Sequence, residues 1–101
     1  MRARYSAYAL GLVPFILATT APESPHAQTD AVKWQSEVER FCRFTRFVGL
    51  RVHEAHHSDD VGLVHFTAQL VQGGQQTALE ERSRFLCRGG CWFYLEAITA
   101  R

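Results

Sequence analysis

A chain of 101 residues with 47% hydrophobic and 12% aromatic side chains carries enough material for one packed core and one ordinary domain, 1–101. Its 11 basic and 10 acidic side chains leave a formal net charge of +1. That balance excludes the dense positive field used to hold nucleic acid or an anionic membrane, so neither is expected as a partner. Arg40, Arg43 and Arg46 come nearest to a basic run, and spread along a helical stretch they read as a solvated face. Three cysteines, Cys42, Cys87 and Cys91, are too few and odd in number for a disulfide framework, which points to a reducing compartment.

The chain opens like an export signal. Met1 to Arg4 is short and basic, Ala9 to Ala18 is mostly apolar, and small residues and prolines follow from Thr19 to Pro25. Pro14 interrupts the apolar run, however. Cleavage after Ala27 would place Pro25 in a recognition position, and cleavage after Ala21 would leave Pro22 next. The run also falls short of the ~20 apolar residues that a membrane span needs. The other reading is a pair of amphipathic helices, with Tyr5, Tyr8, Leu12 and Phe15 at helical spacing and Gly11 at the joint. Composition alone leaves both open.

Pro22 to Asp30 reads as a polar loop, with Thr29 or Asp30 able to cap a helix expected from about Ala31 to Arg46. Trp34, Val38, Phe41 and either Phe44 or Thr45 would face inward, and Gly49 would end the segment. From Leu50 the period changes to that of a strand. Leu50 to His57 is expected as the first, with Ser58-Asp59-Asp60 as its turn. Leu63 to Val71 is the second, with Val64, Phe66, Ala68 and Leu70 along one face. Gly73-Gly74 turns it into a third strand, Gln76 to Arg88, and Gly89-Gly90 turns that into a fourth, Cys91 to Ala97. Helices followed by two glycine-pair hairpins predict an α+β domain, its helices packed on a curved four-stranded antiparallel sheet, an arrangement that often encloses a pocket.

Four segments carry a resemblance. Arg4-Tyr5-Ser6-Ala7-Tyr8, Thr20-Ala21-Pro22, Glu81-Arg82-Ser83-Arg84-Phe85 and Trp92-Phe93-Tyr94 occur in this order. The chain resembles the YchJ-like family of bacterial proteins over nearly its whole length. The resemblance implies the cone-shaped fold of the nuclear transport factor 2-like superfamily, in which a curved sheet wraps around helices. It also implies that the first segment is a helix of the folded domain, which favours a cytoplasmic protein over an exported one. Family members commonly carry a cysteine-rich, zinc-binding SEC-C motif ahead of this domain. The sequence lacks it, as expected either of a start placed too late or of a domain without its zinc module. Glu80 stands where the family often has histidine, and Glu96-Ala97 replaces the usual Asp-Gly.

Glu81, Ser83 and Phe85 alternate on one face of the third strand, with Tyr94 on its neighbour. If that face lines the cone, it forms a polar-aromatic pocket to which the first helix adds Tyr5 and Tyr8. Carboxylates withdrawn from water become stronger bases, so Glu81 is a candidate general base; the alternative is a hydrogen-bond network that fixes helix to sheet. His53, His56 and His57 with Asp59 and Asp60 match no standard zinc spacing. Regular alternation would put His53 and His57 on one face and His56 on the other, so they read as a solvated hairpin tip without metal. If Gly89-Gly90 is a two-residue turn, Arg88 faces Cys91 and Cys87 faces Trp92, and the cysteines do not pair; a three-residue loop would bring them together.

No cofactor motif, catalytic triad or phosphate loop is present. The expected function is a non-enzymatic binding or interaction domain for a small molecule or a protein, with ligand contacts from Tyr5, Tyr8, Glu81, Ser83 and Tyr94. The alternative is a small enzyme with Glu81 as base and the tyrosines as hydrogen-bond donors.

Overall fold

The computed structural model describes residues 1–98, so the last three residues of the expected domain lie outside the described residues. The export-like opening is part of the fold. It forms α1 (Arg2–Leu10) and α2 (Val13–Ala18), and Ala7, Val13 and Ile16 are buried. Gly11 ends α1 with φ 70°, a left-handed backbone that other residues adopt at a cost. Pro14 falls in the first turn of α2, where its missing N–H breaks no helical bond. The break at Gly11 resets the helical phase. Tyr5 and Tyr8 face the interior, but Leu12 and Phe15 are 48% and 40% exposed, contrary to the single stripe that their spacing suggested.

Helix α3 (Ala31–Phe44) begins at Asp30, whose carboxylate accepts the Lys33 N–H at 3.0 Å. It ends earlier than its sequence pattern suggested, because β1 (Thr45–Ser58) starts directly after it. Thr45 is buried and Phe44 is exposed, so of that pair only Thr45 turns inward. Gly49 does not end the helix. It lies within β1, where the pairing with β2 (Val61–Gln72) shifts register between Phe47 and Gly49.

The sheet continues with β3 (Gln75–Arg88) and β4 (Cys91–Ala97) in the order β1-β2-β3-β4, every pair antiparallel. Gly73, Gly74, Gly89 and Gly90 all have positive φ, as two-residue hairpin turns require. Register shifts at Phe47/Gly49 and Val52/Glu54 in β1, and at Arg84/Phe85 against β4, bend the sheet towards the helices. Phe66, Ala68 and Leu70 form the floor of the inner face, with Tyr5, Phe47, Leu50 and Val52 packed against them.

The N-terminal layer is fastened to the sheet at β4. Thr20 forms a parallel bridge with Tyr94: the Tyr94 N–H donates to the Thr19 carbonyl at 2.7 Å, and the Ala21 N–H donates to the Tyr94 carbonyl at 2.8 Å. Helix α3 is held differently. It packs on α1, α2 and β1, and none of its residues is buried. A helix that rests on one edge of a curved sheet leaves space beneath it.

Candidate functional site

That space is a cavity of about 490 Å³ between α3, α1 and the inner face of the sheet. Its floor is Phe66, Ala68 and Leu70, and α3 supplies Trp34, Val38 and Phe41 as the opposite wall. Tyr5, Tyr8, Phe41 and Phe47 line it as a cluster of rings 5.6–6.0 Å apart, mostly edge to face. The exposed residues His26 and Glu37 mark the mouth. There the Gln28 side chain donates to the Glu37 carboxylate at 2.6 Å, tying the loop before α3 to the helix itself.

A polar cluster adjoins these rings. Tyr5, Tyr8, Glu81, Ser83 and Tyr94, the five residues singled out from the sequence, all line the cavity. Ser83 is fully buried and donates to Glu81 Oε2 at 2.6 Å, and the Tyr94 hydroxyl donates to the same oxygen at 3.0 Å. Ser83 and Glu81 meet because they sit two apart on β3 and share its inner face. Tyr94 joins them from β4, its ring edge-on to Phe85 at 5.6 Å. Burial raises the Tyr94 phenol above its ordinary pKa, and the neighbouring Glu81 charge and hydrogen bond add to the effect. Burial likewise raises Tyr8, while Arg4 opposes it.

Arg4 is the residue that sequence reasoning missed. It is only 8% exposed, and its Nη1 donates to the Ile16 carbonyl at 3.2 Å, to Thr19 Oγ1 at 2.8 Å and to Thr20 Oγ1 at 3.2 Å. The guanidinium lies 4.9 Å from the Tyr94 ring centre and 5.8 Å from that of Tyr8. Burial lowers its pKa, and the adjacent tyrosines and Glu81 work against that. A usable signal was present: Arg4 stands one helical turn before Tyr8, so an inward Tyr8 carries Arg4 inward too. The four segments that gave the family resemblance therefore converge here, through Arg4, Thr20, Glu81 with Ser83, and Tyr94.

The histidines of the first hairpin divide otherwise than regular alternation suggested. The register shift between Val52 and Glu54 inserts His53 as an extra residue, reversing the faces beyond it. His53 meets Thr67 at 2.7 Å and the His65 ring at 4.6 Å on the outer face, and His65 in turn meets Glu80 at 2.6 Å. His57 pairs with Gly62 and approaches Trp92 on the inner face. No group of three or more potential metal ligands forms among the described residues. Arg88 pairs with Cys91 and Cys87 with Trp92, as a two-residue turn requires, and Cys42, Cys87 and Cys91 are free thiols. No helix among the described residues is long and apolar enough to cross a membrane.

Comparison with known proteins agrees with this arrangement. The family model for the middle, nuclear transport factor 2-like domain of YchJ matches residues 1–97. The UPF0225 protein of Chromobacterium violaceum is 38% identical over 109 aligned residues, taking in 99% of this chain and 71% of that protein. The UPF0225 protein YchJ of Shigella dysenteriae is 32% identical, and the match covers 95% of this chain but 61% of that protein. Among solved structures, a SEC-C motif containing protein from Rhodopseudomonas palustris superposes with a TM-score of 0.84 at 29% identity, covering all of this chain and 76% of that one. A SEC-C motif containing protein from Psychrobacter arcticus gives a TM-score of 0.74 at 24% identity, covering 59% of its length, and supports the fold. With its helical layer, its curved four-stranded sheet and all four motifs in place, the chain belongs to the YchJ family, within the nuclear transport factor 2-like middle domain.

Proposed function

We propose that this domain is a small-molecule binding module whose ligand sits in the cone beneath α3. One observation carries the reading: the cavity of about 490 Å³ joins an apolar body to a polar end built from Arg4, Glu81, Ser83 and Tyr94. Ligand sites have this form in general, with roughly 300–1,000 Å³ of mostly apolar wall and a few convergent polar groups. Glu81 serves recognition here. Ser83 and Tyr94 hold its carboxylate in place, and the reading assigns it no proton transfer. The buried positions of α1 and α2 support a cytoplasmic setting, since export processing would cut into the core.

The chain has two tryptophans, Trp34 and Trp92, and only Trp34 lines the cavity. In a Trp92→Phe variant the remaining indole therefore reports on the site. Titration with adamantylmethanol, a compact and optically silent alcohol, is expected to shift Trp34 emission saturably. The further change Ala68→Phe, which fills the floor, is expected to abolish the response. A linear response, or one that survives Ala68→Phe unchanged, contradicts the reading.

A further inference from the structure

The polar part of the cavity sets one cation, Arg4, against one carboxylate, Glu81. Arg4 donates through Nη1 to Ile16, Thr19 and Thr20, and the Tyr94 and Tyr8 rings lie beside it. Glu81 accepts from Ser83 and Tyr94. Tyr94 links the two, its ring beside the guanidinium and its hydroxyl on the carboxylate. The cluster is thus electrically balanced before any ligand enters. A carboxylate offers about four lone-pair sites, so two bonds leave acceptor capacity.

Resting on the binding-module reading above, we infer that the cavity selects an uncharged ligand: a compact apolar body bearing one hydrogen-bond donor, such as a hydroxyl, directed at Glu81. A ligand carboxylate would bring a second negative charge against Glu81, whose charge already offsets that of Arg4. A ligand ammonium would find Glu81 but would add a positive charge beside Arg4. Either ion would shed its water into a chamber floored by Phe66, Ala68 and Leu70, which return nothing for a charge. The same preference acts on the protein itself. The Met1 amino group at this cavity is driven towards its neutral form by burial, and then by Arg4 and Arg2. A neutral hydroxyl keeps the balance and donates to an acceptor already in place.

Three probes with one skeleton separate the possibilities: adamantylmethanol, adamantylmethylamine and adamantanecarboxylate, each titrated against Trp34 emission in the Trp92→Phe protein at neutral pH. The alcohol is expected to bind about tenfold more tightly than the acid, and more tightly than the amine. Glu81→Gln is expected to bring alcohol and acid to within about twofold of each other, because it removes the negative charge and leaves Arg4 uncompensated. An amine or acid that outbinds the alcohol in the parent protein overturns the inference and leaves the pocket reading standing. Failure of all three to bind sinks both. The parent series decides the matter alone should Glu81→Gln not fold.

Discussion

At the scale of single residues, Arg4 and Glu81 organise the domain. Arg4 is a buried cation whose acceptors are neutral oxygens, so its removal takes the shared donor from Ile16, Thr19 and Thr20 and opens a gap beside Tyr94. Arg4→Met is expected to lower stability by about 2–4 kcal/mol, read as a fall in the urea midpoint. A loss below about 0.5 kcal/mol would show that the guanidinium network is dispensable. The tyrosines give a pH signature. Tyr8 and Tyr94 have pKa values raised above the ordinary 10.0, so the folded state keeps protons that the unfolded chain has released. Their contribution to stability is complete below the unfolded value and falls away as pH climbs past it. Unfolding free energy measured between about pH 9 and pH 11 should therefore decline at the upper end, and more gently in Tyr94→Phe. Phenolate absorbance should also show Tyr94 ionising at lower pH in Glu81→Gln, since the Glu81 charge helps hold its proton. An unchanged titration would mean that the two groups are not coupled.

At the scale of elements, the sheet was the most legible part of the sequence. The glycine pairs marked two of the three two-residue hairpins, and the alternation of Phe66, Ala68 and Leu70 marked the inner face, because both signals are local. The junction of α3 and β1 was less legible. Thr45 to Val48 contains no proline or glycine, and its bulky side chains suit helix or strand, so pairing with β2 decides the conformation. Bulges leave no plain mark either, which is why regular alternation puts His53 and His57 on one face and the structure does not. The site followed the same pattern. Tyr5, Tyr8, Glu81, Ser83 and Tyr94 were readable from the strand period and the family motifs, whereas Arg4 ran against the general rule that arginine stays exposed. One close approach in the sheet is testable. A Cβ at Gly62 would lie 3.0 Å from the Trp92 ring. Gly62→Ala is expected to cost about 1–2 kcal/mol in thermal or urea unfolding, and most of that cost should vanish in a Trp92→Ala background. A penalty that persists there would place the strain in the backbone.

At the scale of the whole molecule, the architecture explains why a cavity exists at all. The first two helices are fastened to β4 through Thr19, Thr20 and Ala21, while α3 leans on α1, α2 and β1 without burying a residue. A sheet bent by three register shifts cannot be filled by a helix that touches one edge. The space left over is lined by a cluster of rings and, adjoining it through Tyr8, by the Arg4–Tyr94–Glu81 cluster. The central claim is that this space is a ligand site. Backbone amide shifts of the isotopically labelled protein, followed during titration with adamantylmethanol, test it most directly. The account predicts saturable changes centred on Phe66, Ala68, Leu70, Glu81 and Tyr94, and their loss in Ala68→Phe. Changes confined to the outer face around His53 and His65, or a pattern unaltered by Ala68→Phe, would contradict it.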